Sequence, residues 1–134
     1  MSSAENAEFV RNAIEQAWNT PGNHEAWAGF VTPDYVHHVF NGTTGIDGWL
    51  EGAGGLVRAF SAFYYELRTV VAENAEVAVH FTLRATAAGG PVAGKVIEAT
   101  GAYFCRLSEG KIAEDWEVWM GLPLGRQFGA LLAE

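Results

Sequence analysis

Residues 76–86 read Glu-Val-Ala-Val-His-Phe-Thr-Leu-Arg-Ala-Thr. Val77, Val79, Phe81 and Leu83 alternate with Glu76, Ala78, His80, Thr82 and Arg84, a period of two that marks a strand with one buried face and one wet face. His80 and Arg84 therefore point outward. Downstream, residues 87–91 form a turn, residues 93–107 a long strand, Ser108-Glu109-Gly110 a hairpin turn, and residues 111–120 a last strand. A short helix is expected over 122–132. Upstream, residues 67–72 read as another strand.

Further upstream the period lengthens. Residues 46–65 are expected to form a helix whose apolar stripe is Leu56, Val57, Phe60, Phe63 and Tyr64. Gly48, Gly52, Gly54 and Gly55 weaken it, each by about 1 kcal/mol against alanine, and suggest a ragged start or a loop near a pocket mouth. Residues 35–40 are β-branched and aromatic and read as a short strand. Trp27, Phe30 and Val31 make the apolar face of a short helix after Asn23, where His24 is expected to be solvated. Phe9, Val10, Ala13, Ile14, Ala17 and Trp18 recur at helical spacing, and Ser2 with Glu5 has capping-box spacing, so a helix spans about 4–18. Helices first and a run of antiparallel strands afterwards imply an α+β domain, with helices on one face of a curved sheet.

The 134 residues are one domain's worth, and 49% hydrophobic with 18% charged is a globular composition. Eight basic against 16 acidic residues give a net charge of −8 with no Lys/Arg cluster, which argues against nucleic acid or anionic membrane as a partner. The lone Cys105 excludes an internal disulfide and a cysteine-rich zinc site. The first eight residues are polar and acidic, unlike a signal peptide, and no apolar run approaches the roughly 20 residues a membrane span needs, so a cytoplasmic location is expected. Asn41-Gly42-Thr43 matches a glycosylation sequon but reads as a turn in that setting. Eight Phe, five Trp and four Tyr exceed what a small domain needs for stability and hint at an apolar pocket.

The last strand holds the strongest chemical signal. Ala113, Asp115, Glu117 and Trp119 share one face; Ile112, Glu114, Trp116, Val118 and Met120 share the other. Two carboxylates at i and i+2 are about 7 Å apart. Facing an apolar cavity, both would have raised pKa values and could take and return a proton. The plainer alternative leaves Asp115 at a rim and Glu117 on the surface. His37 and His38 are adjacent on a strand, so they point to opposite faces and cannot form a joint chelate. Tyr103 shares a face with Cys105 and is either a hydroxyl donor to substrate or an ordinary strand aromatic. No metal-ligand spacing, phosphate loop, dinucleotide fingerprint or Gly-x-Ser-x-Gly occurs, so neither a metal nor another cofactor is expected.

Four segments together resemble the SnoaL-like polyketide cyclases of the NTF2-like superfamily: residues 32–38, Thr-Pro-Asp-Tyr-Val-His-His; 77–84, Val-Ala-Val-His-Phe-Thr-Leu-Arg; 110–117, Gly-Lys-Ile-Ala-Glu-Asp-Trp-Glu; and 125–131, Gly-Arg-Gln-Phe-Gly-Ala-Leu. The likeness spans nearly the whole chain as a single domain, 1–134. It implies an NTF2-like cone: a strongly curved antiparallel sheet wrapped around N-terminal helices, with a deep apolar pocket, often in a dimer. It also implies cofactor-independent ring closure, or isomerisation, of a hydrophobic polyketide-like small molecule. Glu117 falls where the family carries its acid/base aspartate, His37 on a polar pocket position, and Tyr103 on another pocket position. The expected roles are then Glu117 as proton-transfer group, His37 and Tyr103 as hydrogen-bond donors to the developing oxyanion, and Asp115 as the group that tunes Glu117 or orients His37. Trp18, Trp27, Trp119 and Phe60 are expected to wall the pocket, and Trp116, on the opposite face, is available for a partner subunit. Three departures stand out: glutamate for aspartate at 117, Met120 where a further aspartate is common, and a short 87–91 loop without a Pro-Pro turn. Two rival activities remain on the same fold: an epoxide-opening hydrolase or ether-forming cyclase, favoured by an inward Arg84 and a carboxylate-rich pocket, and a non-catalytic ligand-binding module, in which no polar group would converge with Glu117.

Overall fold

The computed structural model describes residues 1–39 and 42–120. The helix expected over 122–132, the 125–131 segment and the end of the 35–40 strand lie outside them. Helix α1 (Ser3–Trp18) opens with the capping box its sequence encodes: the Glu5 N–H donates to the Ser2 hydroxyl, and the Ser2 N–H donates to the Glu5 carboxylate. A 3-10 helix (His24–Phe30) leads into β1 (Val31–Val39), then β2 (Gly42–Thr44), α2 (Ile46–Ala59), β3 (Phe60–Glu73), β4 (Glu76–Ala87), β5 (Val96–Ser108) and β6 (Lys111–Met120). No helix among the described residues is long and apolar enough to cross a membrane.

The six strands form one sheet in the order β2-β1-β6-β5-β4-β3. The hairpins supply antiparallel pairs, as their turns require. Glu109 and Gly110 both have positive φ, the backbone that a tight β5–β6 turn demands. One pair departs from the antiparallel expectation: β1 runs parallel to β6 and sets His37 opposite Asp115. That crossover joins the first strand to the last, and it builds the site described below.

Several boundaries differ from the sequence reading: Gly42 and Thr43, read as a turn, belong to β2, and the strand expected from residue 93 begins at Val96. The helix expected over 46–65 ends at Ala59, and Phe60, Phe63 and Tyr64 belong to β3. Aromatics spaced by three and four satisfy a helical stripe, yet β3 carries register irregularities between Phe60 and Ala62 and between Leu67 and Thr69 that break strict alternation. Val31, read as helical, begins β1.

The helices fill the concave face of the sheet. Val10, Ala13, Ile14 and Ala17 on one side of α1 are buried against Val77, Val79, Phe81 and Leu83 of β4 in a single core. Asn19 anchors the end of α1 to β3, donating to the Tyr65 carbonyl at 2.8 Å and accepting from the Tyr65 N–H at 2.7 Å. Asn6 does the same at the other end, donating to the Asn74 carbonyl. His80 and Arg84 lie exposed on the convex side, as alternation requires. His24 is instead partly buried beside Gly54 of α2, with an unpartnered Nδ1.

Candidate active site

Alternation on β6 turns Ala113, Asp115, Glu117 and Trp119 toward the helices. Asp115 is fully occluded, at 0% exposure. An ionised carboxylate so placed costs several kcal/mol unless its lone pairs are filled. Here they are. Oδ2 accepts from the hydroxyls of Tyr35 at 2.7 Å and Tyr103 at 2.5 Å, and Oδ1 meets His37 Nδ1 at 2.6 Å. The Trp27 indole N–H donates in turn to the Tyr35 hydroxyl at 3.3 Å. Parallel pairing of β1 with β6, and antiparallel pairing of β5 with β6, deliver these partners from strands distant in sequence.

Glu117 lies one pleat further along, beside a cavity of about 300 Å³. His37 lines the same cavity, together with the aromatic side chains of Trp18, Trp49, Phe63 and Trp119. The His37 nitrogen not taken by Asp115, Nε2, is the one left to meet a ligand. Gly48 and Gly52 form part of the opposite wall. The α2 glycines are thus within a helix, where small residues keep the cavity open. A void of about 10 Å³ lies beyond, between Glu117, Trp27, Tyr65 and Tyr103.

Burial drives the Glu117 carboxyl up from 4.5 to about 7; the Asp115 charge pushes the same way, while the charge of His37 and a hydrogen bond from Trp119 partly offset both. Burial alone would lower His37, but the hydrogen bond and charge of Asp115, with the Glu117 charge, outweigh it and leave the imidazole above 6.5. Burial, reinforced by Asp115, holds the Tyr35 and Tyr103 phenols far above their ordinary value, so both are neutral donors. Burial also raises the Cys105 thiol to about 12, which makes it an inert core group.

The expected site residues therefore divide. Glu117, His37, Trp18 and Trp119 meet at one cavity. Asp115 is neither at a rim nor in contact with the cavity; it stands behind His37. The Tyr103 hydroxyl donates to Asp115, and its ring borders the small void beside Glu117, not the main cavity. Trp27 lies behind the wall, stacked on Trp49 at 5.2 Å, and does not line the main cavity. Phe60 packs in a separate cluster with Ala85 and Ile97, because β3 begins there. Tyr35 was missed, although alternation places it on the His37 face; its partner Asp115 is 80 residues away. His38 points to the other face, stacks on Trp116 at 4.7 Å and pairs with Glu114. A larger hollow of about 490 Å³ on the convex side, between Val71, Phe104 and Trp116, holds no comparable cluster of perturbed groups. Among the described residues, no group of three or more His, Cys, Asp or Glu side chains could hold a metal ion.

Solved structures share this architecture. AclR of Streptomyces galilaeus, provisionally assigned as a hydroxylase, superposes with a TM-score of 0.83 at 22% identity, covering 96% of this chain and 98% of its own. A protein of Jannaschia sp. CCS1, provisionally assigned as a SnoaL-like polyketide cyclase, gives 0.83 at 19% identity over 98% and 94% of the two chains. IdmH of Streptomyces antibioticus, provisionally assigned as a polyketide cyclase, gives 0.78 at 20% identity over 96% and 99%. At these identities the likeness is one of fold, the NTF2-like α+β cone. No curated protein sequence matches the chain. Residues 8–128 match the model of the family described as SnoaL-like polyketide cyclase.

Proposed function

The chain belongs to the SnoaL-like polyketide cyclase family, and from that premise we propose that it is a cofactor-independent cyclase or isomerase acting on a hydrophobic, polyketide-like natural-product intermediate, with Glu117 as its proton-transfer group. The observation that carries the reading is the Glu117 carboxyl, poised at about 7 and facing His37 across one aromatic cavity. A base with a pKa near the working pH combines a usable ionised fraction with a usable driving force.

In this mechanism the Glu117 carboxylate removes a proton from carbon next to a carbonyl. The C–H electron pair moves into the enolate, whose oxygen is met by His37. The enolate carbon then attacks a second carbonyl of the same molecule, closing a ring, or is reprotonated elsewhere, giving an isomer. The protonated Glu117 returns its proton to the new alkoxide or carbon, so the enzyme is unchanged. Trp18, Trp49 and Trp119 exclude water from the reacting atoms and offer flat faces to an unsaturated substrate.

The rival readings fit less well. Arg84 is on the convex face, paired with Glu98, and so does not furnish the inward cation that the epoxide-opening alternative favours. A purely binding module has no need for Glu117 and His37 to converge. The test is Glu117→Gln, which keeps shape and removes the base: α-proton exchange into deuterated water, followed by NMR on hydrophobic β-polyketone probes, should fall at least a hundredfold. Near-normal exchange would refute the mechanism.

A homodimer through the convex face is part of the same reading. Val71, Ala78, Phe104 and Trp116 stand in register across four strands, an apolar row with Val71 and Phe104 exposed. Glu73, Glu76 and Arg106 edge the hollow, offering both signs of charge to a second copy.

A further inference from the structure

Asp115 has an environment unlike that of any other carboxylate among the described residues. It is wholly buried, and its two oxygens take three short hydrogen bonds. The arginines in ion pairs, Arg11, Arg68, Arg84 and Arg106, meet glutamates at or near the surface and none reaches it. Among the described residues no lysine or arginine pairs with Asp115, and a buried anion needs a compensating charge. Among the described residues His37 is the side chain in position to supply it, and the contact between Nδ1 and Oδ1, at 2.6 Å, is as short as a charge-assisted hydrogen bond.

We infer that Asp115 is a positioning residue, clamped by Tyr35 and Tyr103, that holds His37 as an imidazolium with Nε2–H turned into the cavity, so that His37 is the general acid delivering a proton to the substrate's carbonyl oxygen as Glu117 takes one from the adjacent carbon. The two phenols occupy Oδ2 and leave Oδ1 alone for His37, which fixes the ring's orientation. The proton count balances: Nε2–H protonates the oxygen, the C–H proton goes to Glu117, and the enol forms with no net charge gained by the cavity; as the enol carbon reacts, its O–H proton returns to Nε2 and Glu117 gives its proton to the new alkoxide or carbon, which restores both groups. The substrate class narrows accordingly. Its carbonyl oxygen must lie at Nε2 and its acidic C–H at Glu117, which a 1,3-dicarbonyl unit or a β,γ-unsaturated ketone satisfies. This inference rests on the proton-transfer role proposed for Glu117.

Among the described residues the groups facing His37 are few. Asp115 and Glu117 come from β6, Tyr35 from its own strand and Tyr103 from β5 through Asp115. Tyr65 of β3 lines the cavity, and the α2 residues that do so carry no titratable side chain.

Long-range proton–nitrogen NMR of the imidazoles tests this without any turnover. The four histidines are followed from pH 5 to 9, with His37 assigned by its absence from His37→Gln. In the wild-type protein His37 should half-titrate above 6.5 and keep a proton on Nδ1 throughout. Asp115→Asn should lower that midpoint by at least one pH unit, a tenfold loss of proton affinity. Wild-type titration at or below 6.5 overturns the inference by itself, even if Asp115→Asn fails to fold; so does an unchanged midpoint in a folded Asp115→Asn. Glu117 is read separately from its own carboxyl carbon, so failure at His37 is distinguishable from failure of the proposed base.

Discussion

Replacing Glu117 by glutamine should stabilise the protein, and only above a definite pH. Glu117 is placed by β6 against indole and phenol rings, and its pKa rises from 4.5 to about 7 chiefly through burial. Holding that carboxyl ionised in the native state therefore costs about 3 kcal/mol relative to the unfolded chain. The native carboxyl binds its proton more tightly than the unfolded one. Its contribution is thus most favourable below pH 4.5, falls as pH rises from 4.5 to about 7, and is constant above. Glutamine keeps the volume and carries no charge, so Glu117→Gln should match the wild type near pH 4 and exceed it by up to about 3 kcal/mol at pH 8. For a domain of this size that is on the order of 10 °C in Tm. His37, whose pKa lies above 6.5, contributes stability that is lost only as pH rises beyond that value, so a difference that begins near pH 4.5 belongs to Glu117. Urea unfolding of both proteins at half-unit steps from pH 4 to 8 reads the difference. A flat difference, or a variant less stable at pH 8, would refute the burial argument.

Other expectations follow from the packing. A Cβ on Gly101 would stand 2.5 Å from the Val118 carbonyl oxygen and 2.9 Å from the Phe81 ring, so Gly101→Ala should cost about 1–3 kcal/mol in chemical denaturation. A Cβ on Gly52, in α2, meets nothing within 4 Å, so Gly52→Ala should instead stabilise by about 0.5–1 kcal/mol. Tyr35→Phe leaves Asp115 short of one buried donor and should cost about 1–3 kcal/mol, with the loss read by thermal unfolding. Phe104→Glu, on the convex row, should convert a dimer into a monomer in sedimentation velocity while leaving thermal unfolding of the monomer unchanged.

Most of the architecture was legible because alternation is a local signal. The pattern of Val77 to Leu83, and the split of β6 into a Glu117 face and a Trp116 face, follow from side chains that reverse at every residue. The stretch from Phe60 to Tyr64 was misread for a local reason too: its aromatics fit a helical stripe, and the register irregularities of β3 hide the strand period. The site was legible only in part. Shared faces correctly grouped Glu117 with Trp119 and separated His37 from His38. Nothing local could reveal that β1 lies beside β6 in parallel, and that pairing is what buries Asp115 behind His37 and gives Tyr35 a partner. The antiparallel β5–β6 pairing brings Tyr103 within reach of Asp115, to which its hydroxyl donates. Long-range partners of a buried carboxylate are a property of topology, and periodicity carries no information about them.

If Glu117 is a base tuned for neutral pH, its side-chain carboxyl carbon must titrate there, and NMR reads that carbon without any substrate. With the signal assigned by its loss in Glu117→Gln, the midpoint should lie near 7. A midpoint near 4.5, the ordinary value for an exposed glutamate, would contradict it.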